Sequence, residues 1–379
     1  MRPPVGVYVH IPFCLKKCAY CDFPSMPVSE CAADMEPYFS ALIKEIRASE
    51  ELKHSRIGTI FFGGGTPTAA PPFWLNMVLA ELHRYDIAPG AEITAEANPG
   101  TLSGETLKIL KNAGVNRLSI GLQAWQDRLL RALGRIHTRD EFLRQYAAAV
   151  EAGFGNINVD LMFGLPGQTL DDLAETLSSV VSLEPRPAHI SAYSLILEPG
   201  TPFWDMYESG GLVLPDEETD RLMYENCVAF LAENGYRRYE ISNFAPADCE
   251  CRHNLKYWRR DDTLGFGMAA HSFFGGARWS NMAGLREYIS NAESGVKATR
   301  TPVPRSEAIE ETVFLGLRMS EGIDLDRFRR EFGVRFEEEF GGRAGEMESL
   351  GLLRVENGRA ALTERGFSLS EKVIERLLV

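Results

Sequence analysis

The stretch HIPFCLKKCAYCDF, residues 10–23, places Cys14, Cys18 and Cys21 in one short loop directly after an apolar run. Thiolates are soft ligands that suit Zn²⁺ or iron–sulfur clusters. The spacing of three and then two intervening residues brings the three sulfurs to one side of a compact loop. It leaves the fourth corner of a tetrahedral metal site without a neighbouring cysteine, so the stretch predicts an incomplete metal site at the end of a first strand.

Two kinds of metal centre are compatible with three thiolates. A structural zinc would take its fourth ligand from His10 or from the distant Cys31, although zinc sites more often pair their cysteines as two CxxC motifs. A four-iron cube held by three sulfurs keeps one iron open, and that iron can bind a small chelating molecule. We favour the cube.

The composition favours a soluble protein with reduced thiols. The chain has 379 residues, 45% of them hydrophobic, which is enough for one large domain and a small one. Seven irregularly scattered cysteines fit metal ligation better than a disulfide framework. A net charge of −13 argues against a nucleic acid as the principal partner. Because the sequence shows neither a signal peptide nor a bilayer-length apolar run, we expect a cytoplasmic protein.

Short runs of β-branched and aromatic residues alternate with longer amphipathic stretches in the first half of the chain, which is typical of strand–helix units and a parallel sheet. Polar clusters follow nearly every run, at the strand ends where α/β barrels bind their ligands. The predicted fold is α/β, with a partial (β/α)6 TIM-like barrel. The predicted strands are residues 5–11, 58–64, 92–99, 117–123, 157–164 and 189–197.

The second half of the chain has a different pattern of predicted helices and strands. A helix is predicted near residues 216–234, and a polar and aromatic loop extends from about 246 to 282. From Ser306 onward, helices followed by a short strand pair and a last helix resemble a winged-helix module, in which acidic residues favour a packing or lid role over DNA binding. We therefore divide the chain into residues 1–215, the partial barrel; 216–300, a connecting segment; and 301–379, a winged-helix-like α+β domain.

Glycines and polar residues follow the predicted strands. The segment FFGGGTPT puts Gly64, Gly65 and Thr66 after the second strand, where absent side chains let backbone groups approach a ligand. A tight turn is the alternative for the glycines, and a capped helix or a surface group is the alternative for the polar residues. The polar candidates at the other strand ends are Glu96, Gln123, Arg135 and Asp160.

The segment CLKKCAYC resembles the CxxxCxxC loop of the radical S-adenosylmethionine (SAM) superfamily. The resemblance implies a [4Fe-4S] cluster on Cys14, Cys18 and Cys21, with SAM chelating the open iron through its amino and carboxylate groups. It also implies that the glycine segment contacts the methionine amino group. The SAM-binding residues it suggests are Tyr8, Tyr20, Gly64, Gly65, Thr66, Glu96, Gln123, Arg135 and Asp160, with Arg135 on the carboxylate.

Longer sequence segments identify a family more specifically than the cysteine loop does. YVHIPFC, GGGTPT, EANPGT, NRLSIGLQ, DLMFGLPGQT and HNLKYW resemble the coproporphyrinogen-dehydrogenase-like group, and within it the HemW-type heme chaperones. Oxygen-independent coproporphyrinogen III dehydrogenases carry a further cysteine two places beyond the third one, where this chain has Phe23. They also carry an extension before the first strand, whereas this chain reaches its first strand at Val5. Both departures favour the chaperones.

The segment HNLKYW matches the HNxxYW pattern of those chaperones, and the match implies a heme site at His253, Asn254, Tyr257 and Trp258. An imidazole is a good axial ligand for heme iron, and aromatic faces suit a flat macrocycle. A lone histidine among aromatic residues is more often simply packed. His271 and Cys251 are alternative axial ligands.

The resemblance predicts a cytoplasmic carrier that binds heme and hands it to acceptor apoproteins, whether soluble or membrane-associated. The carrier keeps the cluster and SAM and takes electrons from a donor. The alternative is an enzyme that decarboxylates coproporphyrinogen III to protoporphyrinogen IX through SAM-derived radical chemistry. A radical SAM methyltransferase is a third reading. The catalytic residues stay unassigned.

Overall fold

The architecture is taken from a computed structural model, which describes residues 3–294 and 298–379 and gives residues 293 and 294 by their backbone alone. Residues 295–297, inside the predicted connecting segment, and residues 1 and 2 lie outside the described part. The strands, in chain order, are β1 (Val5–Ile11), β2 (Phe13–Cys14), β3 (Met26–Pro27), β4 (Ile57–Gly64), β5 (Ile87–Ala97), β6 (Arg117–Gln123), β7 (Asn156–Phe163), β8 (His189–Ser194), β9 (Arg237–Glu240), β10 (Asn243–Ala245), β11 (Thr263–Phe266), β12 (His271–Phe274), β13 (Ala277–Ser280), β14 (Thr301–Pro302), β15 (Ile323–Asp324), β16 (Leu353–Glu356) and β17 (Arg359–Leu362).

Helices fill the intervals between these strands, and two short 3-10 turns cover Ala32–Asp34 and Pro67–Ala69. The α-helices are α1 (Val28–Cys31), α2 (Met35–Ala48), α3 (Glu50–Lys53), α4 (Pro72–Leu82), α5 (Gly104–Asn112), α6 (Asp127–Ala132), α7 (Arg139–Glu151), α8 (Leu170–Val181), α9 (Pro202–Glu208), α10 (Glu217–Glu233), α11 (Arg252–Trp258), α12 (Leu285–Ser294), α13 (Arg305–Gly316), α14 (Leu325–Phe332), α15 (Phe336–Ser349), α16 (Glu364–Phe367) and α17 (Ser370–Leu378).

A twelve-stranded sheet has the order β14-β13-β12-β11-β1-β4-β5-β6-β7-β8-β10-β9. Its centre, from β1 through β4 to β8, consists of the six predicted strands, each parallel to its neighbour in chain order. The predicted α/β partial barrel is therefore confirmed. β11 adds a seventh parallel strand beside β1, so the prediction of a loop over residues 246–282 is wrong. The four-residue run Thr263–Phe266 is too short to be recognised by periodicity.

The two faces of the parallel strands differ in polarity. On β1, Val5, Val7 and Val9 are buried in the main hydrophobic core, which they share with the surrounding helices. Alternate positions on the neighbouring strands carry polar side chains instead, such as Glu96 on β5 and Asp160 on β7. Parallel strands covered on both faces are usually apolar throughout. The polar inner face therefore marks the barrel interior as a place for ligands.

The C-terminal residues have a hydrophobic core of their own, which extends from Ala308 to Leu377. Strand β17 pairs with both β15 and β16 in antiparallel fashion, and α13 to α17 pack around this small sheet. The β16–β17 turn has Asn357 and Gly358 at φ 52° and 73°, as the tight Asn-Gly hairpin turn requires. The predicted winged-helix-like α+β region is thus present, and its predicted last helix is divided into α16 and α17.

No helix in the described residues combines the length and apolar composition needed to cross a bilayer.

Candidate functional site

The cysteine loop is closed at both ends by backbone pairing. β2 carries Cys14 and pairs with β3, which lies beyond the last cysteine of the loop. Cys14 is buried, whereas Cys18 and Cys21 are half-buried. All three thiols line one cavity of about 470 Å³ inside the partial barrel. In the described part of the chain, no three His, Cys, Asp or Glu side chains converge closely enough to hold a single metal ion.

The glycine segment passes directly behind the first cysteine. The backbone N–H of Gly65 donates to the Ile11 carbonyl at 2.9 Å, and that of Thr66 donates to the Phe13 carbonyl at 2.8 Å. A Cβ on Gly65 would lie 2.9 Å from Cys14 Sγ. The approach is possible because position 65 has no side chain.

Gly64 is needed for a different contact. Its φ of 112° is strained for residues with a side chain, and an added Cβ would lie 2.6 Å from the His10 ring. His10 forms hydrogen bonds from Nε2 to the Pro24 carbonyl at 2.8 Å and from Nδ1 to the Tyr8 hydroxyl at 3.1 Å. Gly64 and Tyr8 therefore support the cysteine loop through His10, and neither lines the cavity.

Arg135 joins the cysteine loop to the barrel wall. Its guanidinium donates to Cys18 Sγ at 3.4 Å, to the Gly121 carbonyl at 2.7 Å and to Asn98 Oδ1. Asn98 in turn donates from Nδ2 to Thr66 Oγ1 at 2.7 Å. Asn98 was not among the predicted residues, although it lies in the phrase EANPGT, two positions after Glu96.

Glu96 and Asp160 supply two carboxyl groups to the cavity wall. Burial and the neighbouring Asp160 carboxylate raise the pKa of Glu96 to about 8. Asp160 accepts hydrogen bonds from Ser119 Oγ at 3.1 Å and from Asn158 Nδ2 at 2.7 Å. The Glu96 carboxyl group therefore holds a proton at neutral pH and can donate a hydrogen bond to a ligand in the cavity.

Gln123 and Tyr20 complete the predicted set around the cavity. Gln123 ends β6 at a bulge with φ 72°, which turns it away from the regular strand. The pKa of Tyr20 is raised by burial. The structure thus brings most of the predicted residues to one cavity, namely Cys14, Cys18, Cys21, Tyr20, Gly65, Thr66, Glu96, Gln123, Arg135 and Asp160. It also adds Tyr193, which is 38% exposed at the end of β8.

The HNLKYW segment forms α11, whose first turn is fixed to β5. Glu92 accepts hydrogen bonds from the backbone N–H groups of Arg252 and His253, each at 3.0 Å, and from Cys251 Sγ at 3.6 Å. A carboxylate at a helix N-terminus is favourable because it pairs unsatisfied N–H groups and opposes the helix dipole. Helix α11 thus lies against the strands at their amino ends.

His253 is 1% exposed, and both of its ring nitrogens are hydrogen-bonded. Nδ1 lies 2.8 Å from Thr59 Oγ1, and Nε2 lies 3.0 Å from the Tyr257 hydroxyl. The ring stacks on Phe61 at 5.2 Å. Burial, with Lys256 and Arg117 nearby, lowers the pKa of His253 to about 3, so the imidazole is neutral.

The other residues of the motif do not share this burial. Tyr257 is 41% exposed and Asn254 is half-buried. Trp258 lines a separate cavity of about 330 Å³ between α11 and the C-terminal region. Of the two alternative heme ligands, Cys251 is fully buried and His271 is exposed on β12.

Comparison with known proteins places these features in a family. Residues 8–180 match the family model "Radical SAM superfamily", and residues 303–369 match "HemN C-terminal domain". The chain is 39% identical to the "Heme chaperone HemW" of Bacillus subtilis over 98% of this chain and 99% of that protein. The chain belongs to the HemW family of the radical SAM superfamily. The Lactococcus lactis protein of the same name is 34% identical over 100% of this chain and 98% of its own.

The family has a solved structural neighbour in the Escherichia coli protein described as "Coproporphyrinogen III oxidase (HemN)" and as a radical SAM enzyme. It superimposes with a TM-score of 0.84 over 99% of this chain and 90% of its own, at 24% identity. At that identity the match establishes the fold alone. Together with the family-model match over residues 8–180, the shared fold confirms the radical SAM type of the partial barrel.

The residues present fit the two cofactors of the superfamily, a [4Fe-4S] cluster and SAM. Three thiols, soft ligands for iron, stand on the wall of a cavity large enough for a small molecule. Because Gly65 has no side chain, its backbone packs close to Cys14 Sγ, where a Cβ would not fit. The Arg135 guanidinium offers charge beside Cys18. Which of these residues touch each cofactor stays a prediction.

Proposed function

We propose that this protein is a cytoplasmic heme chaperone, which binds heme and delivers it to acceptor apoproteins. The observation that carries the proposal is the full-length similarity to proteins curated as heme chaperones. The complete HNxxYW motif, on α11, supports it. The proposal covers acceptors that are soluble or membrane-associated, and it includes a separate electron donor for the cluster.

Three cysteines would hold the cluster: Cys14, Cys18 and Cys21. When bound, the cluster and SAM supply one-electron reductive chemistry. Arg135 is placed to bind a carboxylate beside Cys18, where its other hydrogen bonds to Gly121 and Asn98 hold the guanidinium in position. Glu96 holds a proton at neutral pH, so it donates a hydrogen bond until a cationic ligand displaces that proton.

Heme would bind through α11, with His253 Nε2 as the axial ligand and Trp258 and Asn254 beside the macrocycle. Since Nε2 is hydrogen-bonded to Tyr257 and the ring is buried, iron must displace that hydroxyl before it binds. The neutral imidazole favours ligation, because a protonated nitrogen has no lone pair for iron.

The test is a spectral titration of the purified protein with hemin. We expect a saturable Soret shift in the wild type and its loss in His253→Ala. The control is His83→Ala, because His83 is exposed at the end of α4, where its Nδ1 bonds the Leu79 carbonyl. A wild type without saturable binding would overturn the function, and an unchanged titration in His253→Ala would overturn the ligand.

The second candidate is decarboxylation of coproporphyrinogen III, which the cavity beside the three thiols favours because a radical enzyme needs the same cofactor site. An anaerobic assay with reductant, SAM and coproporphyrinogen III separates the candidates. We expect no protoporphyrinogen IX. Conversion of coproporphyrinogen III would make the decarboxylase the favoured function.

A further inference from the structure

A chain of hydrogen bonds crosses the barrel from the proposed SAM cavity to α11. Asp160 Oδ1 lies 2.7 Å from Asn158 Nδ2, and Asn158 Oδ1 lies 2.6 Å from His189 Nδ1. His189 Nε2 lies 2.8 Å from the Tyr239 hydroxyl, which accepts from the Cys251 backbone N–H at 3.2 Å. These links connect strands β7, β8 and β9 with the residue that precedes α11.

The acceptor role of Asp160 toward Asn158 sets the direction of the links through Asn158 and His189. A carboxylate only accepts, so Asn158 presents Nδ2 to it and turns Oδ1 toward His189. His189 then donates from Nδ1 and accepts at Nε2, which requires the Tyr239 hydroxyl to donate. Burial and the nearby Arg117 lower the pKa of His189, so it stays neutral with one donor and one acceptor.

Reversal of the first link would reverse the links on both sides of His189, while the Cys251 backbone N–H would keep donating to the Tyr239 hydroxyl. If Asp160 donates or turns toward a ligand, the other partners of the Asn158 amide are the hydroxyls of Ser119 and Ser191, which can each donate or accept. Rotation of the amide by half a turn then makes Asn158 a donor to His189. His189 would then change tautomer and donate to Tyr239, whose hydroxyl hydrogen would lose its acceptor. Because Asn158 and His189 are 1% and 0% exposed, water does not replace these bonds freely.

The far end of the chain sets the first turn of α11. Cys251 is the N-cap position of that helix and is fully buried, with its thiol against Glu92. Glu92 also accepts a hydrogen bond from the backbone N–H of His253, the proposed heme ligand. A shift of Cys251 therefore moves the turn that carries His253.

We propose that His189 and Tyr239 are positioning residues that couple SAM occupancy at Asp160 to heme binding on α11. The proposal rests on the proposed function and extends it, because it makes the SAM cavity a regulator of the heme site. Coupling between two binding sites is reciprocal, so heme changes the affinity for SAM by the same factor.

The experiment measures the hemin dissociation constant of anaerobically reconstituted protein, with and without saturating SAM. In the wild type we expect SAM to change that constant at least about fivefold. Tyr239→Phe removes one hydroxyl from the chain and should reduce the change to below about twofold. The matched control is Tyr236→Phe, which removes a buried hydroxyl that bonds the Pro187 carbonyl instead, at 2.6 Å, and should keep the full change.

The outcomes separate the two proposals. A change that is present in the wild type and in Tyr236→Phe but lost in Tyr239→Phe supports the chain, since a purely structural defect would weaken hemin binding without removing its response to SAM. Hemin binding that ignores SAM in the wild type, or a response that survives in Tyr239→Phe, overturns the coupling and leaves the chaperone function standing. No saturable hemin binding in the wild type overturns both.

Discussion

Gly65 approaches Cys14 so closely that a Cβ on residue 65 would lie 2.9 Å from the cysteine sulfur and 2.8 Å from the Phe13 carbonyl oxygen. The second of these contacts is with backbone, which cannot rotate away. The glycine segment after β4 and the cysteine loop after β1 are therefore one packed unit.

We predict that Gly65→Ala displaces the cysteine loop and lowers the iron content after anaerobic reconstitution by at least about half, with a stability cost of about 1–3 kcal/mol for overpacking. The measurement is iron per chain together with thermal unfolding. Gly104→Ala is the control, because nothing lies within 4 Å of its added Cβ. Full iron content in Gly65→Ala would show that the loop tolerates the extra atom.

The raised pKa of Glu96 predicts a pH dependence of stability for the cofactor-free protein. Between about pH 5 and pH 8 the unfolded chain has lost this proton, while the folded chain keeps it, since its pKa is about 8 against 4.5 ordinarily. The folded state then binds more protons, so the free energy of unfolding falls as pH rises, by at most about 1.4 kcal/mol per pH unit from this group.

Denaturant titrations at several pH values check this. In Glu96→Gln the stability should fall less steeply over that window than in the wild type. Glu105→Gln, an exposed position on α5, should keep the wild-type slope. Equal slopes in Glu96→Gln and the wild type would show that Glu96 titrates normally.

The Tyr257 hydroxyl is hydrogen-bonded to His253 Nε2, the nitrogen that we assign to heme iron. We predict that Tyr257→Phe binds hemin about fivefold more tightly, because iron no longer has to break a hydrogen bond worth about 1 kcal/mol. The measurement is the hemin titration. Tyr85→Phe, whose hydroxyl bonds the Ile46 carbonyl at 2.8 Å, is the control. Weaker binding in Tyr257→Phe would mean that the hydroxyl contacts heme instead.

A buried ion pair joins the turn after α11 to α13 in the C-terminal region. The Arg260 side chain is 5% exposed and lies 2.8 Å from Glu311, which is 17% exposed. We predict that Glu311→Gln lowers the free energy of unfolding by about 3 kcal/mol, because it leaves the Arg260 cation buried with less compensation. Thermal unfolding measures the loss. Glu338→Gln should cost under about 1 kcal/mol, since its pair with Arg335 is exposed. Equal losses would contradict the prediction.

Much of the barrel was predictable because its signals are local. The short runs of β-branched and aromatic residues identified the six central strands in order. The cysteine spacing identified the metal loop, and the polar residues at strand ends identified most of the cavity wall. β11 was not predictable from the sequence. It has only four residues, which is too few for a periodic pattern, and it is a strand because it pairs with β1.

The surroundings of His253 also could not be predicted from the sequence. Its Nδ1 bonds Thr59, which is 194 residues away along the chain, and its burial depends on how α11 packs on strands at the opposite end of the sequence. The same holds for Asn98, which reaches Arg135 and Thr66 only after three loops meet.

The sequence by itself determined which chemistry the chain carries: three thiolates in one loop, glycines beside them and the HNxxYW motif, all set by neighbours along the chain. Only the tertiary structure decided which of these groups share a cavity, that His253 is buried and hydrogen-bonded, and that His189 lies between Asp160 and α11. Those relations depend on strand register and on packing between distant segments, which no local pattern encodes.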